Sequence, residues 1–173
     1  MHIQLVFSQT FCVVGAILEK EGKIALVQES VKSNKPDAGK WNQPAGWLDV
    51  GEDPIEAVKR EVEEEIGFAF MPKAILGIYS LVRRDIETER DGTPHAVKIL
   101  FIGDIDTEHP KQLHDDVSDM KWFTPAEIEA MDIDTLRDVD IKKAVKDYFN
   151  GQSYPLDLLE HTVQRHSSPH TTI

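Results

Sequence analysis

Residues 46–68 read GWLDVGEDPIEAVKREVEEEIGF and carry the most informative pattern of the chain. Its second half predicts a helix over residues 53–66, because Asp53 and Pro54 favour a helix start and Gly67 favours a helix end. Apolar side chains recur there at spacings of three and four residues, which puts them on one narrow stripe that must face the core. The stripe consists of Ile55, Val58, Val62 and Ile66.

The same helix gathers acidic side chains on one flank. With Val62 at the centre of the apolar stripe and about 100° of rotation per residue, one flank holds Glu61, Glu64 and Glu65. Glu63 falls on the opposite flank. Like charges at this spacing repel by a few tenths of a kcal/mol per pair in water, and by more in a cleft.

Two arrangements would relieve this repulsion. One is a solvated acidic face on which Arg60 pairs with Glu64. The other is a binding site for hard cations, which prefer carboxylate oxygens. The preceding loop favours the cation site, because a glycine permits close backbone approach and a carbonyl near Gly46 could become a further oxygen ligand.

Residues 46–68 also resemble the Nudix box, Gly-x5-Glu-x7-Arg-Glu-U-x-Glu-Glu-x-Gly-U, where U is a bulky aliphatic or similar residue. Every position fits, with the aromatic Phe68 at the last, loosely defined place. The wider resemblance covers roughly residues 10–150. It implies the Nudix fold, an α+β protein in which a mixed β-sheet lies between helices as an α/β/α sandwich. It also implies hydrolysis of a nucleoside diphosphate linked to another group.

The resemblance implies a role for each matching residue. It implies four metal ligands, the first through its carbonyl: Gly46, Glu61, Glu64 and Glu65. Glu52 and Arg60 would orient the ligand carboxylates. The implied cofactor is Mg²⁺, with Mn²⁺ as an alternative. Such an ion neutralises phosphate oxygens and activates water for attack on phosphorus.

The resemblance leaves two sources for the general base, a box glutamate or an acid from a later loop. Asp115, Asp116 and Asp119 precede Trp122, where relatives often place that acid. We favour Asp116. A polar turn before a strand is the alternative interpretation of each of the three.

Other charged and aromatic side chains are candidates for substrate contacts. The cations that could meet phosphates are Arg83, Arg84, Arg90 and Lys98, although we favour a solvated role for each. Adjacent strand residues point to opposite faces, so at most one of Arg83 and Arg84 would face the site. Trp41 and Trp47 could stack on a base, with core packing as the alternative for Trp41.

Composition limits the partners. The net charge of −12 argues against a nucleic-acid binder, which needs clustered Lys and Arg, but permits a small phosphorylated substrate bound through divalent cations. No apolar run approaches the ~20 residues of a membrane span, so no membrane partner is expected. The N-terminus lacks a signal-peptide pattern, which favours a cytoplasmic location. Cys12, the single cysteine, cannot form an internal disulfide.

The remaining pattern predicts one domain over residues 1–160 and a frayed tail over 161–173. Strands are expected at 11–18, 23–29, 74–83, 96–105 and 119–123, and loops at 30–40 and 84–94. Helices are expected from Thr124-Pro125 and over 133–149. A homodimer is left open beside a monomer.

The sequence limits the choice of substrate less than it limits the type of reaction. Residues 151–156 resemble the end of NudJ-type phosphatases, which would imply nucleoside tri- and diphosphates or thiamine-type diphosphates as substrates. ADP-ribose and dinucleoside polyphosphates remain alternatives. A second hypothesis keeps the fold without the reaction, as a nucleotide-binding sensor module.

Overall fold

A computed structural model of the protein describes residues 10–32, 36–87, 93–108 and 117–164. Its strands in chain order are β1 (Thr10–Ile17), β2 (Glu19–Lys20), β3 (Lys23–Glu29), β4 (Trp41–Asn42), β5 (Ala45–Trp47), β6 (Ala69–Val82), β7 (His95–Asp106), β8 (Val117–Phe123) and β9 (Tyr154–Pro155). Its α-helices are α1 (Pro54–Ile66), α2 (Pro125–Ala130) and α3 (Ile141–Phe149). Short 3₁₀ turns lie at Arg84–Ile86, Ile133–Thr135 and Leu156–Leu158.

The strands form two sheets, a mixed one around β1 and an antiparallel one around β3. In the first sheet the order is β5-β1-β7-β6-β9, and β1 runs parallel to β7 but antiparallel to β5. In the second sheet β3 lies between β4 and β8 and also pairs with β2, each time antiparallel. The short strand β5, which contains Gly46, therefore lies at an edge of the first sheet, beside β1 and in contact with α1.

Alternating side chains of the central strands pack into two separate hydrophobic cores. Val14 and Ala16 of β1 pack with α1, whereas Ile17 packs with α3. On β3, Val27 joins the first core and Leu26 the second. Since strand side chains alternate between faces, the two cores lie on opposite sides of the strands. Helices cover both sides, which confirms the predicted α+β sandwich.

Helix α1 forms where its end signals predict. Asp53 Oδ1 accepts a hydrogen bond from the Ile55 N–H at 2.8 Å, and Gly67 adopts a left-handed conformation with φ 73°. Val58 and Val62 are fully buried in the first core, as the apolar stripe predicts. Burial of the stripe fixes the rotation of the helix, so its acidic flank faces β5.

The other predicted strands and the helix start at Thr124-Pro125 are present. The strands expected at 74–83 and 96–105 are longer than predicted, as β6 and β7. Thr124 forms a complete capping box with Glu127. Residues 161–164 are exposed coil, and residues 165–173 lie outside the described ranges, so the tail and domain limits stay predictions.

The predicted helix over 133–149 is wrong in its first half. The 3₁₀ turn Ile133–Thr135 begins there, capped by Asp132, and α3 starts only at Ile141. Between them the Arg137 N–H donates to the Trp41 carbonyl at 2.8 Å and is unavailable for a helix. Aspartates offer the backbone local hydrogen bonds outside a helix, and the segment contains several, so its apolar spacing was misleading.

None of the helices in the described ranges is long and apolar enough to span a membrane.

Candidate active site

Strand β5 brings the backbone of Gly46 against the acidic flank of α1. A Cβ atom at Gly46 would lie 2.0 Å from Glu61 Oε2, so only glycine leaves room for that carboxylate. One residue earlier, the Ala45 N–H donates to Glu65 Oε2 at 2.9 Å. Strand β5 and helix α1 thus bring Gly46, Glu61 and Glu65 together.

Arg60 gathers the other box residues around one guanidinium. Its Nε and Nη2 each donate to a different Glu52 oxygen at 2.9 Å. Its Nη1 donates to Glu61 at 2.7 Å and to Glu64 at 3.3 Å. A guanidinium fork against a carboxylate fixes orientation as well as distance. Arg60 is therefore positioned to orient Glu61, and its predicted pairing with Glu64 is also present.

A small cavity of about 150 Å³ opens beside these carboxylates, and we call it the acidic cavity. It is lined by Val27, Glu29, Ala45, Gly46, Trp47, Glu61, Glu65, Val117 and Arg137. Glu64 is not part of this lining, and its side chain is 48% exposed. Glu64 is linked to Glu61, which lines the cavity, because Arg60 Nη1 donates to both carboxylates.

The acidic cavity perturbs its own carboxyl groups. Burial raises the pKa of Glu65 to about 8, with Glu61 and Glu29 adding to the effect and the Ala45 N–H opposing it. Burial also raises the pKa of Glu61, while Arg60 works in the other direction. A cation in the cavity would supply the missing compensation for these negative charges.

The donor set fits a hard divalent cation, since it consists of carboxylates packed against a glycine backbone that leaves space for them. In the described part of the chain, however, no three His, Cys, Asp or Glu side chains are arranged as a metal-ligand group. The assignment of Gly46, Glu61, Glu64 and Glu65 as ligands therefore stays a prediction.

A second, larger cavity of about 310 Å³ adjoins the first, and we call it the apolar cavity. Its walls include the aliphatic and aromatic side chains of Phe11, Val13, Trp47, Leu81, Ile86 and Pro94. Phe11 and Trp47 meet edge to face with ring centroids 4.7 Å apart, and Trp47 is 52% exposed. The apolar cavity suits an organic group, and Trp47 at its mouth keeps the predicted stacking role open.

The floor of the apolar cavity is a buried network of charges. Arg83 donates to Asp37 at 2.8 Å and to Asp138 at 3.1 Å. Lys98 donates to the other oxygen of Asp138 at 2.6 Å and to Asp140 at 2.9 Å. Each buried cation thus has at least two carboxylate partners, which offsets the cost of removing its charge from water.

The solvated role favoured for these cations is wrong for two of them. Arg83 and Lys98 are only 9% and 2% exposed. Arg84 is exposed, in keeping with the expectation that at most one of the adjacent arginines faces the site. The prediction of solvent exposure failed because, apart from Asp85 beside Arg83, the aspartates that neutralise Arg83 and Lys98 are distant in sequence. Arg90 lies outside the described residues.

Trp41 and Asn42, which form β4, have different environments. Trp41 packs edge to face on Phe123 with ring centroids 5.1 Å apart and lines neither cavity, which confirms core packing for it. Asn42 is 3% exposed and lines the apolar cavity. Its Oδ1 has no hydrogen-bond partner among the described residues.

The general base is not located. Asp115 and Asp116 lie outside the described residues, so Asp116 stays a prediction. Asp119, on β8, pairs with Lys121 at 2.7 Å and lines neither cavity. Val117 does line the acidic cavity.

Sequence reasoning missed Glu29 and Arg137, which form an ion pair in the lining of the acidic cavity. Glu29 ends a buried strand, so its position was a signal that a charged side chain leaves the core there. Arg137 lay hidden in the segment wrongly predicted to be helical. The run of aspartates around it was the available signal for a break.

Comparison with known proteins decides the family. A NUDIX domain model matches residues 9–144. The chain belongs to the Nudix family. It is therefore a Nudix hydrolase by family, and the resemblance of residues 46–68 is confirmed.

Two Nudix proteins are similar to this chain over most of its length. Phosphatase NudJ of Escherichia coli K12 is 29% identical over 147 residues, which cover 84% of this chain and 88% of that protein. A solved structure of a NUDIX hydrolase from Nitrosomonas europaea is 32% identical in sequence, with a TM-score of 0.73. The match covers 89% of this chain and 98% of that protein. These findings confirm the predicted likeness to NudJ-type phosphatases.

A third protein shares the Nudix fold alone. The bifunctional NMN adenylyltransferase/ADP ribose pyrophosphatase from Francisella tularensis, solved with AMP and a manganese ion, is 22% identical with a TM-score of 0.59. The match covers 84% of this chain and 42% of that protein.

Proposed function

We propose that this Nudix hydrolase splits a phosphoanhydride bond in a nucleoside di- or triphosphate, or in a nucleoside diphosphate derivative, with Mg²⁺ as cofactor. The observation that supports it is the placement of Glu61 and Glu65 in a small acidic cavity against Gly46, directly beside an apolar cavity. A substrate with a phosphate chain and an organic group has matching chemistry. The AMP and manganese held by the Francisella protein are consistent with such a substrate and metal.

Four residues would hold the cation, namely Gly46, Glu61, Glu64 and Glu65. When bound, Mg²⁺, or Mn²⁺ in its place, supplies charge neutralisation for the phosphates and activation of the attacking water. Attack on one phosphorus would release a phosphate-bearing leaving group.

The chain's own residues prepare this chemistry. Arg60, held by both oxygens of Glu52, orients Glu61 through a 2.7 Å hydrogen bond. A box glutamate or an acid from the later loop, of which we favour Asp116, would take the proton of the attacking water. The raised pKa of Glu61 and Glu65 means that a cation and a proton compete for the same oxygens.

The apolar cavity would hold the organic part of the substrate. Its volume of about 310 Å³ lies at the small end of the range for small-molecule sites. Trp47 offers an exposed aromatic face at the junction with the acidic cavity. Binding there would direct the phosphates toward Glu61 and Glu65.

The test is a phosphate-release assay with Mg²⁺ against nucleoside di- and triphosphates, ADP-ribose, dinucleoside polyphosphates and thiamine diphosphate. We expect Glu64→Gln to abolish turnover while the melting temperature is retained. Glu63→Gln, on the opposite flank of the same helix, is the matched control and should keep its activity. Full activity of Glu64→Gln, or of the wild type in excess chelator, would contradict the proposal.

The same assay distinguishes a hydrolase from a nucleotide-binding sensor module. Tight nucleotide binding without phosphate release across the panel would favour a sensor module on this fold. A cytoplasmic location and a homodimer remain predictions beside the proposed reaction.

A further inference from the structure

Arg137 lies where the acidic cavity meets the apolar cavity. Four residues line both cavities, and they are Ala45, Gly46, Trp47 and Arg137. Arg137 is the charged member of this set. A substrate that extends from one cavity into the other must therefore pass its guanidinium.

The backbone at Arg137 is anchored to the strand layer. The Arg137 N–H donates to the Trp41 carbonyl at 2.8 Å, and Leu136 pairs with Trp41 in a parallel bridge. Leu136 is 2% exposed and packs in the second core. The base of the Arg137 side chain is thus fixed, while the side chain itself is 30% exposed and accessible from the cavities.

Arg137 differs from the other cations of the apolar cavity in the described ranges. The side chains of Arg83 and Lys98 are 10% and 2% exposed and donate to carboxylates on several sides. Arg137 contacts Glu29 through Nη1 and approaches Asp37 through Nε at 3.5 Å. A guanidinium has five N–H donors, and among the described residues the ion pairs of Arg137 use only Nη1 and Nε, which leaves its Nη2 edge to another acceptor.

A substrate phosphate near the acidic cavity would need a positive charge beside it. Glu29, Glu61 and Glu65 all line it. Phosphate oxygens that approach three carboxylates are repelled unless positive charge faces them from another side. Arg137 is on the lining of the same cavity, and its planar fork can hold two phosphate oxygens at once.

We propose that Arg137 binds a phosphate oxygen of the substrate and so orients the diphosphate between the apolar and acidic cavities. This inference rests on the proposed function for the identity of the ligand. Arg137 comes from the segment between the 3₁₀ turn and α3, far from the Nudix box in sequence. It would set the position of the substrate, whereas the box residues serve the reaction.

A purely structural role for Arg137 predicts something different. If it only neutralises Glu29 and Asp37, its loss should lower the melting temperature and leave substrate affinity unchanged. Lys40 provides a matched control, because it also neutralises Asp37, at 3.4 Å, and lines neither cavity.

The experiment compares Arg137→Gln, Arg137→Lys and Lys40→Gln with the wild type in the full chain. Calorimetry with Ca²⁺ in place of Mg²⁺ gives the Kd for ADP and for inorganic diphosphate without depending on turnover. Steady-state kinetics give KM and kcat for whichever nucleotide of the panel is cleaved. Melting temperatures report any loss of fold.

We expect Arg137→Gln to raise Kd and KM by about tenfold or more, as loss of a charge-assisted hydrogen bond predicts. Arg137→Lys should recover part of the affinity, and Lys40→Gln should match the wild type. Should Arg137→Gln fail to fold, Arg137→Lys decides, because it must still bind diphosphate more weakly than the wild type.

The experiment can reject the role of Arg137 without rejecting the proposed reaction, and the reverse. Nucleotide hydrolysis with Kd and KM unchanged in Arg137→Gln and Arg137→Lys would overturn the role of Arg137 and leave the reaction intact. Binding of ADP without hydrolysis would refute the reaction, while the Kd values of the variants would still judge Arg137. If the wild type binds neither ADP nor diphosphate, the inference about Arg137 is overturned as well.

Discussion

The carboxylate of Glu61 occupies the space that any side chain on Gly46 would need. A Cβ at Gly46 would lie 2.0 Å from Glu61 Oε2 and 2.3 Å from Oε1. Contacts of this length do not exist between non-bonded atoms, so a substitution must displace the carboxylate or the strand. The glycine at the start of the box therefore protects the position of an acid fifteen residues later.

This relationship predicts the effect of Gly46→Ala. The methyl group would push Glu61 away from the acidic cavity, and a displacement of about 1 Å near reacting atoms can lower turnover about a hundredfold. We expect a loss of that size in kcat, measured with the substrate that the release assay identifies.

Gly51→Ala is the control for Gly46→Ala. Gly51 has open space around its Cβ position but a φ of 84°, so alanine there should strain the backbone by about 1–2 kcal/mol without touching Glu61. It should lose stability and keep kcat. Equal kcat losses in both variants would show that the Gly46 effect comes from general destabilisation.

Arg60→Lys tests orientation by the guanidinium fork. Lysine keeps the positive charge but cannot hold both Glu52 oxygens and Glu61 in one plane. We expect kcat to fall by about tenfold with a small change in melting temperature. Lys59→Gln, which removes the exposed neighbouring pair with Glu56, should leave kcat unchanged, and an unaffected Arg60→Lys would mean that charge alone suffices.

The raised pKa of Glu65 predicts how the free energy of unfolding depends on pH in the absence of metal. Burial raises its pKa from the ordinary 4.5 to about 8 in the folded protein. Between these values the folded state keeps a proton that the unfolded chain has released, so the free energy of unfolding falls as pH rises through this window. Below pH 4.5 both states hold the proton, and this contribution is fully present.

The measurement is the melting temperature in chelator at pH 5.5 and pH 8 for the wild type and Glu65→Gln. We expect the variant to lose less stability between the two values, because glutamine has no proton to exchange. Added Mg²⁺ should stabilise the wild type more at pH 8 than at pH 5.5, since ligand carboxylates must release protons to bind. Identical pH slopes in the two proteins would refute the raised pKa of Glu65.

Lys98→Met tests the charged floor of the apolar cavity. The substitution removes a cationic partner from the buried Asp138 and the partly buried Asp140, which we expect to cost about 3–5 kcal/mol in the free energy of unfolding. Urea denaturation measures it. Lys73→Met, in the exposed pair with Asp104, should change stability by less than about 1 kcal/mol, and a similar small effect for Lys98→Met would contradict the network's role.

The box helix shows how far sequence reasoning reaches. Its start, its end, its buried stripe and the flank bearing Glu61, Glu64 and Glu65 were all predictable, since helix rotation depends only on residues close in the chain. The separation of Glu63 from that flank followed from the same arithmetic. The strands around the helix were predictable for similar reasons, from runs of apolar residues bounded by turns.

The segment 133–149 shows where that reasoning stops. Its apolar spacing suited a helix, but a hydrogen bond from Arg137 to the distant Trp41 backbone breaks it. Burial of Arg83 and Lys98 was equally hidden, because the decision depends on whether Asp37 and Asp138 come close in space. Local patterns contain no information about partners some 40 or more residues away.

Helical periodicity was enough to predict the acidic flank of α1, and the resemblance of residues 46–68 to the Nudix box was enough to predict the family and the sandwich. The tertiary structure alone decided which charges are buried, that two cavities adjoin beside Gly46, and that Arg137 stands between them. The physical reason is that burial and cavity shape arise from contacts between remote segments, and the electrostatics of a site follow from those contacts.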